Sequence, residues 1–463
     1  MKYTLTFYEK QYQDLVAHLF PPGLRVERVA FLLCGISRTE GETRLIVREA
    51  ITLADSELLE QSSRHVSIDA SSFLPILKRA HIECASFVLV HSHPPGLLDH
   101  SQQDNSEELG LFWTAYNRTY TANAVHASLV FSDPELPRGR VWLDGGKCEP
   151  IDLVRVIGRR FTFYPRTSFD RTLDTSFHDR EVRAFGPDIL PLLKSLTIGV
   201  VGAGGTGSAV FEQLVRLGVG KLLVSDGQRL ESSNVSRVYG SSADDVSVSK
   251  SDLMSKMARH IKLGTIVEHF DKPVTYSSVM RRFRECDVIF GCTDDAWGRS
   301  LLTRFSLEYC VPVIDMGVKI NSHSGRISAI SGRITTLLPG KPCLYCRQQI
   351  TAEDVQQQIL QELSPRDAEK QRREGYIPEL LEAEPAVIPF TTATAAFAVA
   401  EFLQRLTGFK GEDYDLGELV LRFDETVLRT PGSPMDIDCF CSDASLVGKG
   451  DRFRLLDQTW RPE

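Results

Sequence analysis

The stretch from Thr197 to Ser208, TIGVVGAGGTGS, constrains the fold of this chain more than any other. Its β-branched run from Ile198 to Val201 reads as a buried strand, and Gly202, Gly204, Gly205 and Gly207 come directly after it. That succession predicts a strand turning sharply into a helix, with bare backbone N–H groups at the helix N-terminus. Glycines let the backbone approach an anion closely and the helix end adds partial positive charge, so the expected guest is a phosphate. A second strand, Lys221 to Ser225, ends in Asp226. It stands about twenty residues on, where a carboxylate accepts ribose hydroxyls. A dinucleotide redox enzyme carries the same glycines and the same acid, so this stretch alone leaves the nucleotide open.

The residues beyond Asp226 separate the alternatives. Ser233-Asn234 and Arg237 come next, then Lys250, and Cys292-Thr293-Asp294 closes a further strand. Hydride transfer has no use for such a set. Breaking the bond between the α- and β-phosphates does, because Arg and Lys stabilise charge on the transferring and leaving groups while an Asp holds Mg²⁺. On GAGGTGS at 202–208, Asp226, SNVSR at 233–237, Lys250 and CTDD at 292–295, the chain resembles the ThiF/MoeB/HesA superfamily of ubiquitin-activating-type adenylyltransferases. The resemblance implies a Rossmann-like α/β domain with a mixed sheet, ATP with Mg²⁺, and adenylation of the C-terminal glycine of a ubiquitin-like protein. By it, the four glycines, Asp226, Asn234, Arg237, Lys250 and Asp294 bind the nucleotide and metal. One position departs: Gln228 stands where the family usually has a second Asp. Arg183 matches an arginine that the family supplies from a partner subunit, which implies a homodimer; a surface arginine on an amphipathic helix is the plainer reading.

Two cysteine pairs, Cys343/Cys346 and Cys439/Cys441, fit a closed Cys₄ zinc, a site the family often has with CxxC as its second pair. The polar span Gln348 to Pro389 resembles the family's crossover loop. Thioester-forming members carry their cysteine there, whereas this chain has none from Arg347 to Ile437.

A second motif lies near the front. Ala85 to Val90 reads as a buried strand ending in His91-Ser-His93-Pro, and two histidines at i and i+2 point to the same side. Ser101 and Asp104 come a few residues later. Two imidazoles and one carboxylate leave a fourth position open, the mark of a catalytic zinc. This HSHP…SQQD pattern resembles the JAB/MPN (JAMM) metalloproteases, which cleave peptide or isopeptide bonds after a ubiquitin-like C-terminus. The resemblance implies His91, His93 and Asp104 as zinc ligands, Ser101 steadying the tetrahedral intermediate, and an upstream Glu as general base. Glu27 is the candidate, one position ahead of the family's, where Arg28 stands; Glu49 is the second choice.

These motifs divide the chain into a metalloprotease domain at 1–150, a linker at 151–178 rich in turn residues, and an adenylyltransferase domain at 179–463. A net charge of −8 argues against nucleic acid and anionic membranes as partners. No leader pattern and no run of about eighteen apolar residues is present, so a cytoplasmic protein is expected. The combined expectation is an enzyme that trims or releases a ubiquitin-like tail and adenylates it. Competing readings are adenylation of a small molecule or peptide, an NAD-dependent redox enzyme, and an inactive scaffold that fills its sites without turnover.

Overall fold

The computed structural model describes the chain except residues 24–25, 63–64, 119–124, 144, 324, 374–384 and 453. It divides into two units, one of residues 1–168 with 308–310 and 445–454, the other of residues 169–307, 311–444 and 455–463.

The first unit opens with β1 (Lys2–Tyr8), α1 (Glu9–Leu19), β2 (Val29–Arg38), β3 (Glu42–Thr52) and a small ribbon of β4 (Leu58–Gln61) and β5 (Val66–Ile68). Then come α2 (Ala70–Ile82), β6 (Ser86–Ser92), α3 (Gln102–Arg118), β7 (His126–Phe131), β8 (Pro137–Trp142), β9 (Cys148–Pro150), β10 (Leu153–Ile157) and β11 (Phe161–Pro165). Nine of these strands form one sheet in the order β11-β10-β1-β3-β2-β6-β7-β8-β9. The run before Gly35, helix or strand by pattern alone, is the central strand β2. Its side chains alternate. Ala30, Leu32 and Cys34 join the core shared with Leu15 and Leu19 of α1. Val29, Phe31 and Leu33 join the opposite core with Ile76 and Leu77 of α2 and Phe112 of α3.

The expected linker at 151–178 needs correction. Leu153–Ile157 lies parallel to β1, and Phe161–Pro165 closes the sheet edge beside it, so the first unit runs to Ser168. The physical reason is that both pieces are apolar, and Val154 and Val156 are buried on β1's flank. Residues 445–454 also belong to this unit through an isolated bridge from Gly450 to Ile36 of β2.

The second unit contains α4 (Asp179–Phe185), α5 (Ile189–Ser195), β12 (Thr197–Val201), α6 (Gly205–Arg216), β13 (Lys221–Ser225), α7 (Lys250–Ile261), β14 (Ile266–Phe270) and α8 (Ser277–Phe283). It continues with β15 (Val288–Gly291), α9 (Ala296–Glu308), β16 (Val313–His323) and β17 (Arg326–Leu337). Last come α10 (Ala352–Leu363), α11 (Pro365–Arg373), α12 (Ile388–Thr407), β18 (Glu418–Arg422) and β19 (Val427–Arg429). The sheet order is β14-β13-β12-β15-β16-β17-β18-β19. The first five strands are parallel and the last three antiparallel, so the sheet is mixed, as expected. Sequence order reverses between β12 and β15, and ligands of open α/β sheets bind at such a switch point, outside the carboxyl ends of the strands. The span 348–389, read as a loop, carries α10 and α11; its residues 374–384 lie outside the described residues. Among the described residues no helix is long and apolar enough to cross a membrane.

Candidate functional site

In the second unit the turn after β12 has the form the glycines demand. Gly202 adopts φ +90°, and a Cβ on it would stand 2.8 Å from the Cys292 carbonyl oxygen. At Gly207 a Cβ would come within 1.9 Å of the Gly202 oxygen, so helix α6 packs on its own turn only with glycine there. Helix α6 then buries Val210, Phe211, Leu214 and Val215, and stops at Gly218, whose φ of +82° suits a helix C-terminus. No side chain caps Gly204, which leaves the first N–H groups of α6 available to an anion.

The expected nucleotide contacts gather at this edge. Asp226 stands just past β13, and its carboxylate accepts the N–H of Ala203 at 2.7 Å and of Gln228 at 2.7 Å, clasping the glycine turn. Burial pushes this carboxyl above the usual range. Asn234 is buried within the short 3₁₀ turn Ser232–Asn234. Arg237 donates to the Ser233 carbonyl at 2.7 Å, and its Cγ and Cδ lie 3.3 Å from where a Cβ on Gly205 would stand. Lys250, 6% exposed, begins α7 after the Ser249 cap and donates to Gln228 Oε1 at 2.7 Å. The departing residue is therefore the lysine's side-chain partner. Asp294 is exposed beyond β15, whereas Asp295 caps α9 by accepting from Trp297 and Gly298 at 3.1 and 3.0 Å. Burial raises the Asp295 carboxyl to about 6.

Sequence reasoning missed two side chains here. The Thr391 hydroxyl, at the start of α12, lies 3.3 Å from the Cβ position of Gly205. Tyr239 donates its backbone N–H to Ser208 Oγ at 3.0 Å and pairs its hydroxyl with Thr392 at 2.9 Å. Thr391 lies in no recognisable spacing, because α12 reaches the turn only by tertiary packing, and Tyr239, two residues beyond Arg237, shows its part only through its contacts with Ser208 and Thr392. Arg183 does not join this cluster; it is largely exposed and pairs with Asp179 one helical turn away.

The four cysteines converge, with Sγ atoms 3.8 Å apart for Cys343/Cys346, 3.5 Å for Cys343/Cys439 and 3.4 Å for Cys346/Cys441. A tetrahedral ion held by four thiolates at about 2.3 Å sets the sulfurs about 3.8 Å apart, so the set fits such an ion.

In the first unit His91, His93 and Asp104 meet. The two Nε2 atoms are 2.9 Å apart, and they stand 3.2 and 3.3 Å from the Asp104 oxygens. An ion bound tetrahedrally at about 2.0–2.1 Å separates neighbouring N and O ligands by about 3.3 Å, so these residues also fit a metal. His93 Nδ1 faces the Leu97 carbonyl at 3.2 Å, which leaves Nε2 with its lone pair toward the cluster. Ser101 and Asp104 form a capping box at the start of α3: each backbone N–H donates to the other's side chain, at 2.5 and 3.1 Å. Burial would raise the Asp104 carboxyl, yet with an N–H of each ring turned to it in place of an ion, His91 and His93 hold it well below the usual range.

Glu27 lines the same cavity as the histidines and Asp104. Val29 pairs with His91 across β2 and β6, and Glu27 shares the face of Val29, whereas Arg28 points elsewhere, to Asp55. The irregularity of β2 lies further on, between Leu33 and Cys34 against β3. Burial pushes the Glu27 carboxyl upward. Glu49 does not enter the cavity lining; it is half-exposed and binds Arg79 at 2.6 Å.

Known proteins share parts of this sequence. The chain is 30% identical over 161 residues to the SAMP-activating enzyme E1 of Haloferax volcanii, covering 35% of this chain and 56% of that one. It is 25% identical over 232 residues to ubiquitin-like modifier-activating enzyme 5 of Drosophila persimilis, covering 47% and 54%. It thus spans about half the length of these curated relatives. A crystal structure of E. coli MccB with ATP superimposes with a TM-score of 0.44 at 16% identity, covering 58% of this chain and 74% of that one. The ThiF family profile matches residues 178–430, more than half of the sequence, and the chain belongs to that family.

Proposed function

We propose that the second unit adenylates the C-terminal carboxylate of a ubiquitin-like protein with ATP and Mg²⁺. The observation that carries this reading is the gathering of the glycine turn, Asp226, Arg237, Lys250 and Asp294 at the switch point of the parallel strands. The substrate carboxylate oxygen attacks the α-phosphorus, the bond from that phosphorus to the α–β bridging oxygen breaks, and pyrophosphate leaves with the electron pair. Arg237 and Lys250 stabilise the charge gathered on the phosphates, the α6 N-terminus cradles them, and Asp226 orients the ribose. Asp294 holds Mg²⁺. Arg183 of a second copy completes the γ-phosphate side, so the working form is a homodimer, and the setting is the cytoplasm. Cys343, Cys346, Cys439 and Cys441 hold a structural zinc that ties 439–441 to 343–346.

The first unit, in this reading, is a JAB/MPN-type zinc hydrolase acting on peptide or isopeptide bonds beside a ubiquitin-like tail. His91, His93 and Asp104 hold the ion, which supplies Lewis-acid polarisation. Glu27 takes a proton from the attacking water and returns it to the leaving amine. Ser101 keeps Asp104 in place and offers its hydroxyl to the developing oxyanion.

The test is ATP–pyrophosphate exchange with purified full-length protein and a glycine-ended ubiquitin-like protein. Exchange that requires the partner and disappears in Asp294→Ala supports the reading. Exchange that ignores both defeats it.

A further inference from the structure

The segment Leu455–Glu463 makes a set of contacts in the second unit that none of the motifs explains. Leu455 and Leu456 are buried. Further along, the Arg461 backbone N–H donates to the Thr275 carbonyl at 3.0 Å, and Arg461 forms an isolated parallel bridge with Tyr276. The Glu463 carboxylate accepts from the Ser278 N–H at 2.9 Å, from the Ser278 hydroxyl at 2.6 Å and from the Ser277 hydroxyl at 3.2 Å. The segment is thus fastened to the connection that leaves the carboxyl end of β14 and leads into α8.

From that anchorage the Arg461 side chain joins three elements. Its guanidinium lies 5.7 Å from the centre of the Tyr276 ring and 5.9 Å from that of Trp297, within the range of cation–π attraction, and it pairs with Glu362 of α10. Trp297 stands in the first turn of α9, directly after Asp294 and Asp295. Its N–H is shared between Asp295 and Gln358 of α10, at 3.1 Å each. Val355, Gln358 and Glu362 stand at i, i+3 and i+7 on one face of α10, and Val355 is the residue of that helix that is buried. With so little apolar area beneath it, α10 depends on its polar clips to stay on the turn. Arg461 is the charged member of the set and faces two acids. Burial raises the Asp295 carboxyl, Glu362 adds to the rise and Arg461 opposes it. Taking away the cation of such a partly buried group leaves the acids uncompensated, which costs more than the lost contact alone.

We infer that Arg461 is a positioning residue: the segment Leu455–Glu463 is a strap that brings its guanidinium to Glu362 and Asp295 and so seats α10 against the turn that carries Asp294. With the guanidinium in place, the turn is held in one arrangement at the nucleotide edge. Without it, Glu362 and Asp295 repel, α10 lifts and the turn loosens. The consequence for the nucleotide rests on the adenylation reading; the seating of α10 does not.

The test uses the full chain and two readouts, hydrogen–deuterium exchange by mass spectrometry and isothermal titration of ATP·Mg²⁺. Arg461→Ala should speed exchange of the α10 amides at least tenfold while those of β12 and α6 keep their rates, and should weaken ATP·Mg²⁺ at least fivefold. Arg461→Lys keeps the charge and loses the planar stacking, so it should fall between wild type and Arg461→Ala in both. Adding Glu362→Gln to Arg461→Ala removes the repulsion and should return at least half of the logarithmic loss, a rescue that a mere packing defect at position 461 would not show. Unchanged α10 exchange in Arg461→Ala, or no recovery in the double variant, overturns the strap. Faster α10 exchange with unaltered ATP·Mg²⁺ affinity overturns the positioning role. If the wild-type protein binds no ATP·Mg²⁺, the adenylation reading falls, and the exchange rates still decide the seating of α10.

Discussion

The contact between Gln228 and Lys250 yields a quantitative prediction for nucleotide binding. Lys250 is buried, and its ammonium donates at 2.7 Å to a neutral amide oxygen. Its full positive charge is therefore available to a polyphosphate. Gln228→Glu keeps the shape and adds a charge. Two unit charges about 4 Å apart attract by about 4 kcal/mol at an effective dielectric constant of about 20. Much of this is offset by desolvating the new carboxylate, and the amide's own bond to the ammonium is lost. A net gain of about 1–2 kcal/mol for the lysine pair remains, which the phosphates must overcome, so ATP·Mg²⁺ should bind about 5- to 30-fold more weakly. Isothermal titration of ATP·Mg²⁺ measures this directly. Gln228→Leu, which removes the acceptor without adding charge, separates repositioning from neutralisation. Wild-type or tighter affinity in Gln228→Glu would mean that Lys250 does not face the phosphates.

Other outcomes can be checked in parallel. His91→Ala should abolish binding of Co²⁺ at the first-unit site, seen as loss of the visible ligand-field bands, because two remaining protein ligands do not hold an ion in an open site; retained bands would refute the ligand assignment. Glu27→Gln should leave that spectrum unchanged and slow peptide cleavage by about 10²- to 10⁴-fold, the usual worth of a general base, whereas Glu49→Gln should do neither. Cys346→Ser should release one equivalent of zinc from the purified protein, detected with a chromogenic chelator, and lower the unfolding midpoint of the second unit. Asp295 gives the pH prediction. Its folded value of about 6 exceeds the ordinary 3.8, so the folded state is penalised above pH 6, and the penalty is relieved as pH falls toward 4. The difference corresponds to about 3 kcal/mol at most. Asp295→Asn, which still caps α9, should therefore stabilise the second unit at pH 7.5 by about 1–2 kcal/mol in urea and by little at pH 4.5.

The features legible in the sequence were local ones. A strand, a glycine turn and a helix are a consecutive pattern, so Gly202 to Gly207 and the carboxylate after the next strand needed no knowledge of the fold. The same holds for His91 and His93 at the end of one strand, and for Ser101 and Asp104 one turn apart. Glu27 was harder. Counting from Gly35 brought Arg28 to the family's position, whereas the pairing of Val29 with His91 shows which of the two faces the cluster. That pairing joins segments about sixty residues apart in sequence. The return of β10 and β11 to β1 is long-range as well, and turn residues around them read as a linker. Helices α10 and α11 were hidden by composition: each buries only one residue, Val355 and Ala368, so a polar span concealed them. The role of Gln228 was invisible for a different reason, since a departure from a pattern says what is missing and not what replaces it.

The cysteines bear on where an activated acyl group would go. Of the ten, Cys343, Cys346, Cys439 and Cys441 stand together as a metal-fitting set. Cys34, Cys84, Cys148 and Cys310 belong to the first unit. That leaves Cys286 and Cys292 in the second. Cys286 is wholly buried, with its sulfur 3.1 Å from the Cβ position of Gly199 on β12. Cys292 supports the glycine turn itself: its carbonyl backs Gly202 and its Cβ lies 3.2 Å from the Cβ position of Gly207. Burial pushes its thiol far above the usual range, with the Asp315 carboxylate adding to the effect, and a thiol so placed is a poor nucleophile at neutral pH. The second unit thus offers the adenylation chemistry proposed for it without a thiolate positioned to receive the product. An acyl adenylate formed there would be consumed by an amine, thiol or sulfide brought to the site from outside the second unit, and capture would depend on that group reaching the edge of β12 and β15.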